Sequence, residues 1–436
     1  MDKTLNTLNT ILQNHRRERD AALKRPSIMR QRSARLTELL SSNLAKVITG
    51  PRRAGKSTLA FQVLASRKFA YVNFEDDALC GGFSSDDLME AVSAVYGKTD
   101  FLFFDEIQNY PRWESFINKL QRRGCNLVLT GSNSKMLSRE LGSALTGRHL
   151  AFELFPFSFS EFMIAQKLGK AGGGKKHFLH TSDAFGQYLV WGGFPEVVLE
   201  HAEPAGYLSH LFDSVVLRDI VTRHRVRQPT AIHGLLTLLV NSAANCFSAR
   251  GLERSLGNLT TATIQRYLDY CREAYLVQDL QPYSFKARVR IKADRKIYAF
   301  DNGFITAKSQ PATSNTSRLL ENLVFIDLVR RSFKPNFDLF YYKTHSGFEV
   351  DFLLRRGSKN LELIQVAQNL AALKTKERET RALFQAAAEL RLKKLTIVTL
   401  DTEQRIKANE GEINVVPCST WLLDRVRGRE GSDLSF

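Results

Sequence analysis

Between residue 44 and about residue 155, short apolar runs alternate with segments whose apolar positions have helical spacing. Four of these runs are predicted to be strands: 44–49, 69–74, 101–104 and 126–130. Their residues are apolar at nearly every position, which is typical of strands buried on both faces. Alternation with helices predicts a parallel, doubly wound sheet, so the fold class is α/β. Ligands of such sheets bind at the carboxyl ends of the strands.

Beyond this sheet the pattern predicts three further regions. Helical segments, interrupted by a Gly- and Lys-rich stretch at 169–176, continue to about residue 245. Residues 248–280 predict a helix-turn-helix, because Ile264, Tyr267, Leu268 and Cys271 lie on one stripe of its second helix. Strands at 275–280 and 296–300 would form a wing. After a polar linker at 311–317, residues 318–425 predict a helix, three strands, a helix and a strand.

The segment from Gly50 to Ser57 matches G-x-x-x-x-G-K-[ST] and lies between a predicted strand and a predicted helix. Its glycines allow the backbone to turn and direct N–H groups at the phosphates of a bound nucleotide. We expect Lys56 to reach the β- and γ-phosphates of ATP, and Ser57 to ligate Mg²⁺. The residues predicted to bind ATP are Gly50, Pro51, Arg52, Arg53, Ala54, Gly55, Lys56, Ser57 and Thr58.

Two acidic residues, Asp105 and Glu106, follow the apolar run Phe101–Phe104 about 50 residues after the glycine loop. We expect Asp105 to hold Mg²⁺ and Glu106 to act as general base on the attacking water. At the end of the next strand, Asn133, or alternatively Ser132, would orient that water, although either could instead cap a helix. Arg148 would neutralise charge in the transition state, from its own subunit or from a neighbour in a homo-oligomer; otherwise it forms a surface ion pair.

The chain has 62 Lys and Arg residues against 45 Asp and Glu, a net charge of +17. This surplus favours nucleic acid, DNA in the first place, or an anionic surface as partner. The residues predicted to contact nucleic acid are Arg266, Lys286, Arg288, Arg290 and Lys292. No apolar stretch approaches the ~20 residues of a membrane helix. Five scattered cysteines, none in a C-x-x-C pair, fit neither a zinc site nor a disulfide framework, so a cytoplasmic location is expected.

Motifs along most of the chain resemble one prokaryotic family. They include GPRRAGKST at 50–58, FFDEIQNYPRWE at 103–114, LTGSNSKML at 129–137, FPFSFSEF at 155–162, WGGFPEVV at 191–198 and GFEVDFLL at 347–354. In these motifs, from about residue 44 to 425, the chain resembles AAA-type ATPases with a C-terminal domain of unknown function. The resemblance implies a P-loop ATPase, a winged helix and a restriction-endonuclease-like core. The expected domains are a basic helical segment at 1–40, the ATPase core at 41–160, a helical lid at 161–245, the winged helix at 246–312 and the nuclease-like domain at 317–426.

Nucleases of that fold gather carboxylates and a lysine around Mg²⁺. The resemblance assigns Glu321 and Asp351 to the first two metal-ligand positions, and Glu349 could assist because it lies on the same strand face as Asp351. Where Glu-x-Lys is expected, the chain has Gln365-Val366-Ala367. Gln365 offers only a neutral carbonyl oxygen, so we expect a degenerate site that does not cleave.

These observations favour an ATPase whose nucleotide state repositions a winged helix and a nuclease-like domain on nucleic acid. The alternative is a nucleotide-gated switch that acts on a protein partner. A third hypothesis, an ATP-dependent nuclease, requires a cleaving site despite the missing lysine.

Overall fold

The computed structural model describes residues 3–30, 33–79, 83–133, 149–168, 181–200, 202–284, 286, 290, 293–309 and 316–423. Backbone contacts divide the chain into two compact units. Unit 1 comprises Met1–Pro156 with Glu273–Tyr275, and unit 2 comprises Phe157–Arg272 with Leu276–Phe436. Among the described residues, no helix has both the length and the apolar character needed to cross a membrane.

Unit 1 alternates helices and strands, with 3-10 turns at Asp77–Leu79 and Ile107–Asn109. Its regular elements are α1 Lys3–Lys24, α2 Ser33–Leu39, β1 Ala45–Thr49, α3 Lys56–Leu64, β2 Phe69–Asn73, α4 Ser85–Tyr96, β3 Phe101–Asp105, α5 Trp113–Arg122, β4 Leu127–Gly131 and β5 His149–Glu153. The five strands pair in parallel in the order β2-β3-β4-β1-β5. The predicted parallel sheet is therefore confirmed, and β5 is an edge strand that the sequence pattern did not indicate.

Helix α1 packs against strand β2 of this sheet and against helix α4. Its apolar face buries Leu8, Ile11 and Leu12 in the same core as the sheet residues Val47 and Phe104. Two arginines of this basic segment donate hydrogen bonds to backbone carbonyls. Arg16 donates to the carbonyl of Val95 at 3.0 Å, and Arg19 donates to the carbonyl of Phe69 at 2.7 Å. These hydrogen bonds connect α1 to α4 and to β2, and Arg16 itself stays exposed.

Unit 2 begins with a helical region and ends with a mixed sheet. Its first elements are α6 Phe159–Leu168, α7 Thr181–Trp191, α8 Pro195–Leu199, α9 Pro204–Val215, a π-helix Val216–Thr222 and α10 Pro229–Asn241. Then follow β6 Cys246–Phe247, α11 Ala249–Leu256, α12 Thr261–Glu273, β7 Val277–Leu280, β8 Arg295–Ala299, α13 Asn302–Lys308 and α14 Thr316–Arg330. The last are β9 Leu339–Lys343, β10 Glu349–Arg356, β11 Lys359–Val366, α15 Leu373–Leu390, β12 Leu395–Thr399, β13 Gln404–Ala408, β14 Gly411–Pro417 and α16 Cys418–Leu423.

Helices α11 and α12 occupy the region predicted to be a helix-turn-helix. Gly257 ends α11 with φ 68°, and the Thr260 hydroxyl accepts the Thr263 N–H at 3.3 Å, which caps α12. The predicted apolar stripe is buried: Ile264, Tyr267, Leu268 and Cys271 are at most 4% exposed. Strands β7 and β8 form an antiparallel pair, and β6 joins the other edge of β8.

The C-terminal sheet has six strands in the order β13-β14-β12-β11-β10-β9. Strand β12 pairs in parallel with β11 and β14, whereas the hairpins β9-β10, β10-β11 and β13-β14 are antiparallel. The prediction of a single strand after α15 is wrong, because β13 and β14 follow β12. Strand β13 is a largely exposed edge with alternating polar residues, so the sequence offered little hydrophobic signal there.

Candidate active site

The glycine loop connects β1 to α3 at the carboxyl end of the parallel sheet. Gly50 has φ 146°, and a Cβ at this position would lie 1.9 Å from the carbonyl oxygen of Leu154. Gly55 has φ 89° and directly precedes Lys56, the first residue of α3. Both positions therefore require glycine. A glycine turn that leads into a helix N-terminus is the arrangement that binds phosphate groups through backbone N–H donors.

Lys56 is buried, with 5% of its surface exposed. Its ammonium donates to the carbonyl of Pro51 at 3.1 Å and lies 3.4 Å from the Glu106 carboxylate. A buried cation at a helix N-terminus attracts an anion of high charge density. The residues present therefore fit the triphosphate of ATP, and Lys56 would exchange these two contacts for phosphate oxygens.

Asp105, at the end of β3, accepts hydrogen bonds from three hydroxyl groups. Ser57 donates to Oδ1 at 2.9 Å, Thr130 donates to the same oxygen, and Tyr71 donates to Oδ2 at 3.3 Å. Burial, followed by the neighbouring Glu106 carboxylate, raises the pKa of Asp105 to about 6. A carboxylate paired with a hydroxyl beside a phosphate loop is a donor set suited to Mg²⁺. Ser57 and Asp105 could therefore hold the cation together.

Glu106 follows Asp105 in the left-handed conformation, with φ 50°. Its backbone N–H donates to Thr130 Oγ1 at 2.9 Å, and its carboxylate accepts the Ser132 N–H at 3.1 Å and the Gln108 amide at 2.5 Å. Burial by itself would raise the pKa of Glu106, but the Lys56 charge and these hydrogen bonds lower it to about 2. Such a carboxylate stays ionised at neutral pH. It is better suited to orient and polarise water than to retain a proton.

Thr130 is a site residue that the sequence reasoning missed. Its hydroxyl is fully buried and connects Asp105 to the backbone of Glu106, so it fixes both acids at once. Of the two residues weighed at this strand end, Ser132 has a buried hydroxyl with no hydrogen-bond partner, whereas Asn133 is buried and has a partner. The signal for Thr130 was available, because a polar residue ending an apolar strand beside Asp105 must face the same edge.

The arginines near the loop differ in their surroundings. Arg52 pairs with Glu75 at 2.6 Å, and Arg53 is exposed with φ 64°. Arg148 lies outside the described residues. A further arginine, Arg30, was missed: it is 5% exposed and donates to the carbonyl of Ala54 at 2.9 Å and of Phe155 at 2.6 Å. Arg30 thus holds the glycine loop to the segment after β5. Because Arg30 lies in a basic stretch, its sequence context did not distinguish it from a surface arginine.

The residues assigned to the nuclease-like site come together in unit 2, around a lysine. The Lys296 ammonium of β8 lies 2.7 Å from Asp351, 2.9 Å from Glu349 and 3.0 Å from Glu321. Gln365 does not turn its amide to this cluster as a spare ligand: its Oε1 accepts the Asp351 N–H at 3.2 Å and its Nε2 donates to Glu379 at 2.7 Å. Among the described residues, no group of three or more His, Cys, Asp or Glu side chains is arranged to hold a metal ion.

The residues predicted to contact nucleic acid are only partly described. Arg266 is exposed on α12, Lys286 is exposed, and Arg290 is half-buried. Arg288 and Lys292 lie outside the described residues. The basic run from residue 286 continues to residue 296, and its last two cations are not a free surface: Arg295 pairs with Asp279 at 3.2 Å, and Lys296 is buried.

An open groove of about 520 Å³ lies beside α12. Its lining includes Arg250, Thr261, Gln265 and Arg295. Arg250 is exposed at the start of α11, and Gln265 is exposed on the same face of α12 as Arg266. The groove therefore presents arginine and amide groups beside the only face of α12 that its apolar stripe leaves to solvent.

Comparison with known proteins covers both units. Residues 42–163 match the model of an AAA domain. Residues 182–315 match a domain of unknown function, DUF8612, and residues 316–421 match another, DUF4143. The AAA match spans the parallel sheet and its glycine loop, and the two others divide unit 2 close to the start of α14.

Two relatives are similar over most of their length. An uncharacterized protein of Methanocaldococcus jannaschii is 35% identical over 406 residues, which are 88% of this chain and 89% of the relative. One of Haemophilus influenzae is 28% identical over 350 residues, which are 76% and 84%. Among solved structures, the Walker-type ATPase of Pyrococcus abyssi has 13% identity and a TM-score of 0.46, covering 66% of this chain and 99% of that one.

Proposed function

Because the chain belongs to the prokaryotic AAA-type ATPases with C-terminal domains of unknown function, we propose that it couples ATP hydrolysis to the movement of a winged helix on nucleic acid. Nucleotide binding is supported by the glycine loop with its buried Lys56. Mg²⁺ would be held by Ser57 and Asp105, and Glu106 would orient the attacking water. When bound, the metal supplies charge neutralisation on the phosphates.

Elements α11, α12, β7 and β8 have the order of a winged helix, in which the second helix contacts a DNA groove. The observation that carries the nucleic-acid proposal is the groove that includes Arg250 and Gln265, with Arg266 exposed beside it on α12. Arginine and amide side chains are the groups that bind phosphates and base edges. The polyanion contact is proposed for this face and not for the whole basic surface.

The test is steady-state ATP hydrolysis with and without duplex and single-stranded DNA, at low and moderate salt, with Lys56→Ala as the blank. We expect DNA to stimulate hydrolysis and the stimulation to weaken as salt rises, because counterion release drives phosphate contacts. In parallel, fluorescence anisotropy measures DNA binding by Arg250→Ala/Arg266→Ala. Each lost phosphate contact should reduce the salt slope by about 1.

Arg405→Ala serves as a matched control. Arg405 lies on the exposed edge strand β13 and pairs only loosely with Glu412, at 3.7 Å. Its loss should leave the salt slope within about 0.3 of the wild-type value. Equal effects of Arg405→Ala and the double variant would show that binding follows net charge and not the groove.

One observation favours the alternative of a protein partner. On α12, Arg272 pairs with Asp269 and with the buried Asp279, so it is not available to phosphate, and Asp269 itself is an exposed acid. An acidic residue beside Gln265 and Arg266 suits a mixed-charge protein surface. Hydrolysis that ignores DNA, together with one nuclease-resistant protein partner in a pull-down, would establish this alternative.

A further inference from the structure

We propose that the Lys296 ammonium takes the place of a divalent metal in a carboxylate cluster formed by Glu321, Glu349 and Asp351. Through these contacts it holds β8 against the C-terminal sheet. The proposal is independent of nucleotide binding and of the nucleic-acid partner. It concerns three elements of unit 2: β8 supplies the lysine, α14 supplies Glu321, and β10 supplies the two other acids.

The number of carboxylates in the cluster equals the number of N–H donors of one lysine ammonium. A lysine ammonium has three N–H donors and no acceptor. Here it has three carboxylate neighbours, at 2.7 Å, 2.9 Å and 3.0 Å. These are the distances of charge-assisted N–H···O hydrogen bonds. Oxygens that ligate Mg²⁺ or Ca²⁺ lie about 2.0–2.6 Å from the metal. The carboxylate oxygens lie farther than this from the Lys296 nitrogen, so their spacing suits the lysine.

The carboxylates are held in this arrangement by other hydrogen bonds. The second oxygen of Asp351 accepts the Val366 N–H at 2.9 Å. Glu321 accepts the Tyr298 hydroxyl at 2.7 Å, and Tyr298 stacks on Phe325 with ring centroids 4.2 Å apart. Tyr298 is two residues after Lys296 on β8, so both side chains project from the same face. One face of β8 therefore binds α14 and β10 together.

The buried carboxylates of the cluster need a cation such as Lys296 beside them. Lys296 is 2% exposed and Asp351 is 6% exposed, and buried charges require a partner of opposite sign. Among the described residues, a second lysine beside the cluster is Lys343, whose half-exposed ammonium lies 3.7 Å from Glu349. Without Lys296, three carboxylates would repel one another next to one weakly placed cation. An added divalent cation could then restore the balance that the lysine provides.

The experiment compares full-length wild type with Lys296→Met by hydrogen–deuterium exchange and mass spectrometry, with and without millimolar Mn²⁺ and without nucleotide. In the variant we expect exchange in β8 and β10 to be at least about tenfold faster. Mn²⁺ should slow that exchange again in the variant and leave these strands unchanged in wild type. Lys343→Met, which removes a neighbouring but exposed lysine, should change exchange less than about twofold.

Two results would overturn the proposal. One is Mn²⁺-dependent protection of β8 and β10 in wild type, which would mean that a metal binds despite Lys296. The other is a Lys296→Met protein that behaves like Lys343→Met. If Lys296→Met does not fold, Lys296→Met combined with Glu321→Gln and Asp351→Asn removes the charges of the two more buried acids with similar shapes and leaves Glu349 beside Lys343. This triple variant should fold and ignore Mn²⁺; if it is no better than the single variant, charge balance is not the role of Lys296.

Discussion

Asp105→Asn is expected to stabilise unit 1 in the absence of nucleotide, although it removes a proposed ligand of Mg²⁺. Asp105 is 5% exposed, and burial together with Glu106 raises its pKa from the ordinary 3.8 to about 6. An asparagine in the same place keeps an oxygen to accept the Ser57 and Thr130 hydroxyls. Its amide can donate to Tyr71, whose hydroxyl can also accept. The variant therefore removes the buried charge and keeps the hydrogen bonds.

The size of the effect follows from the pKa. A rise from 3.8 to about 6 corresponds to about 3 kcal/mol between the two protonation states. Because the folded-state pKa is the higher one, the free energy of unfolding falls as the pH rises from 3.8 through 6. At pH 7.5 the wild type bears the full cost, and at pH 5 about half of it. The variant has no such cost, so its advantage should be about 3 kcal/mol at pH 7.5 and about 1.5 kcal/mol at pH 5.

Hydrogen exchange of peptides from β1, β3 and β4 measures this stability in unit 1 alone, after correction for the intrinsic pH dependence of exchange. Asp100→Asn is the matched control, since Asp100 is an exposed aspartate next to β3. It should change the free energy by less than about 0.5 kcal/mol. With saturating MgATP the order should reverse, because ligand binding stabilises only the protein that can bind it.

A stabilisation that stays constant between pH 5 and pH 7.5 would refute the electrostatic reasoning, since a packing effect has no such pH dependence. A destabilised Asp105→Asn protein would refute it as well. That result would mean that the three hydroxyl donors stabilise the carboxylate by more than burial costs.

Three further predictions concern the same site. Gly50→Ala should destabilise unit 1 by at least about 2 kcal/mol, because its methyl group meets the Leu154 carbonyl at 1.9 Å; urea unfolding monitored at β1 by hydrogen exchange measures this. Glu106→Gln should retain ATP binding and lose about 10²–10⁴-fold in hydrolysis, measured by calorimetry and phosphate release. The affinity of the site for Mg²⁺ should fall as the pH drops below about 6, because the proton on Asp105 competes with the cation; Mg²⁺ titrations of ATP hydrolysis at pH 5 and pH 7.5 check this.

The sequence predicted the parts of the fold in which a residue pattern is compatible with only one local structure. Apolar runs separated by helices led to the parallel sheet, and the loop from Gly50 to Ser57 located its ligand edge. Strand β5 was missed because His149–Glu153 is mostly half-exposed, with only Phe152 buried. The same holds for β13, whose residues alternate without an apolar face. Edge strands contribute little to the core, so the hydrophobic pattern marks them weakly.

The sequence could not predict contacts that depend on tertiary packing. Lys296 lies in a basic run, where solvent exposure was the natural expectation, yet it meets Asp351 from 55 residues away in the chain. Arg30 lies in the basic segment at 1–40, and only the packing around the glycine loop gives it two carbonyl partners. The Glu-x-Lys pattern places the lysine on the same strand as Gln365. Lys296 was therefore missed, because it lies on a different strand, β8.

Because these cations have partners within the protein, the net charge of +17 overstates the number of cations available to bind nucleic acid. Arg30 holds the glycine loop and Lys296 is enclosed by three acids, so neither of these two buried cations is free to displace counterions from a phosphate backbone. If the α12 face is the contact, Arg250 and Arg266 make about two phosphate contacts, and log K against log[salt] should have a slope near −2. A slope of −8 or steeper would require many more cations than this face offers. The salt slope therefore separates a local winged-helix contact from general attraction to a basic protein.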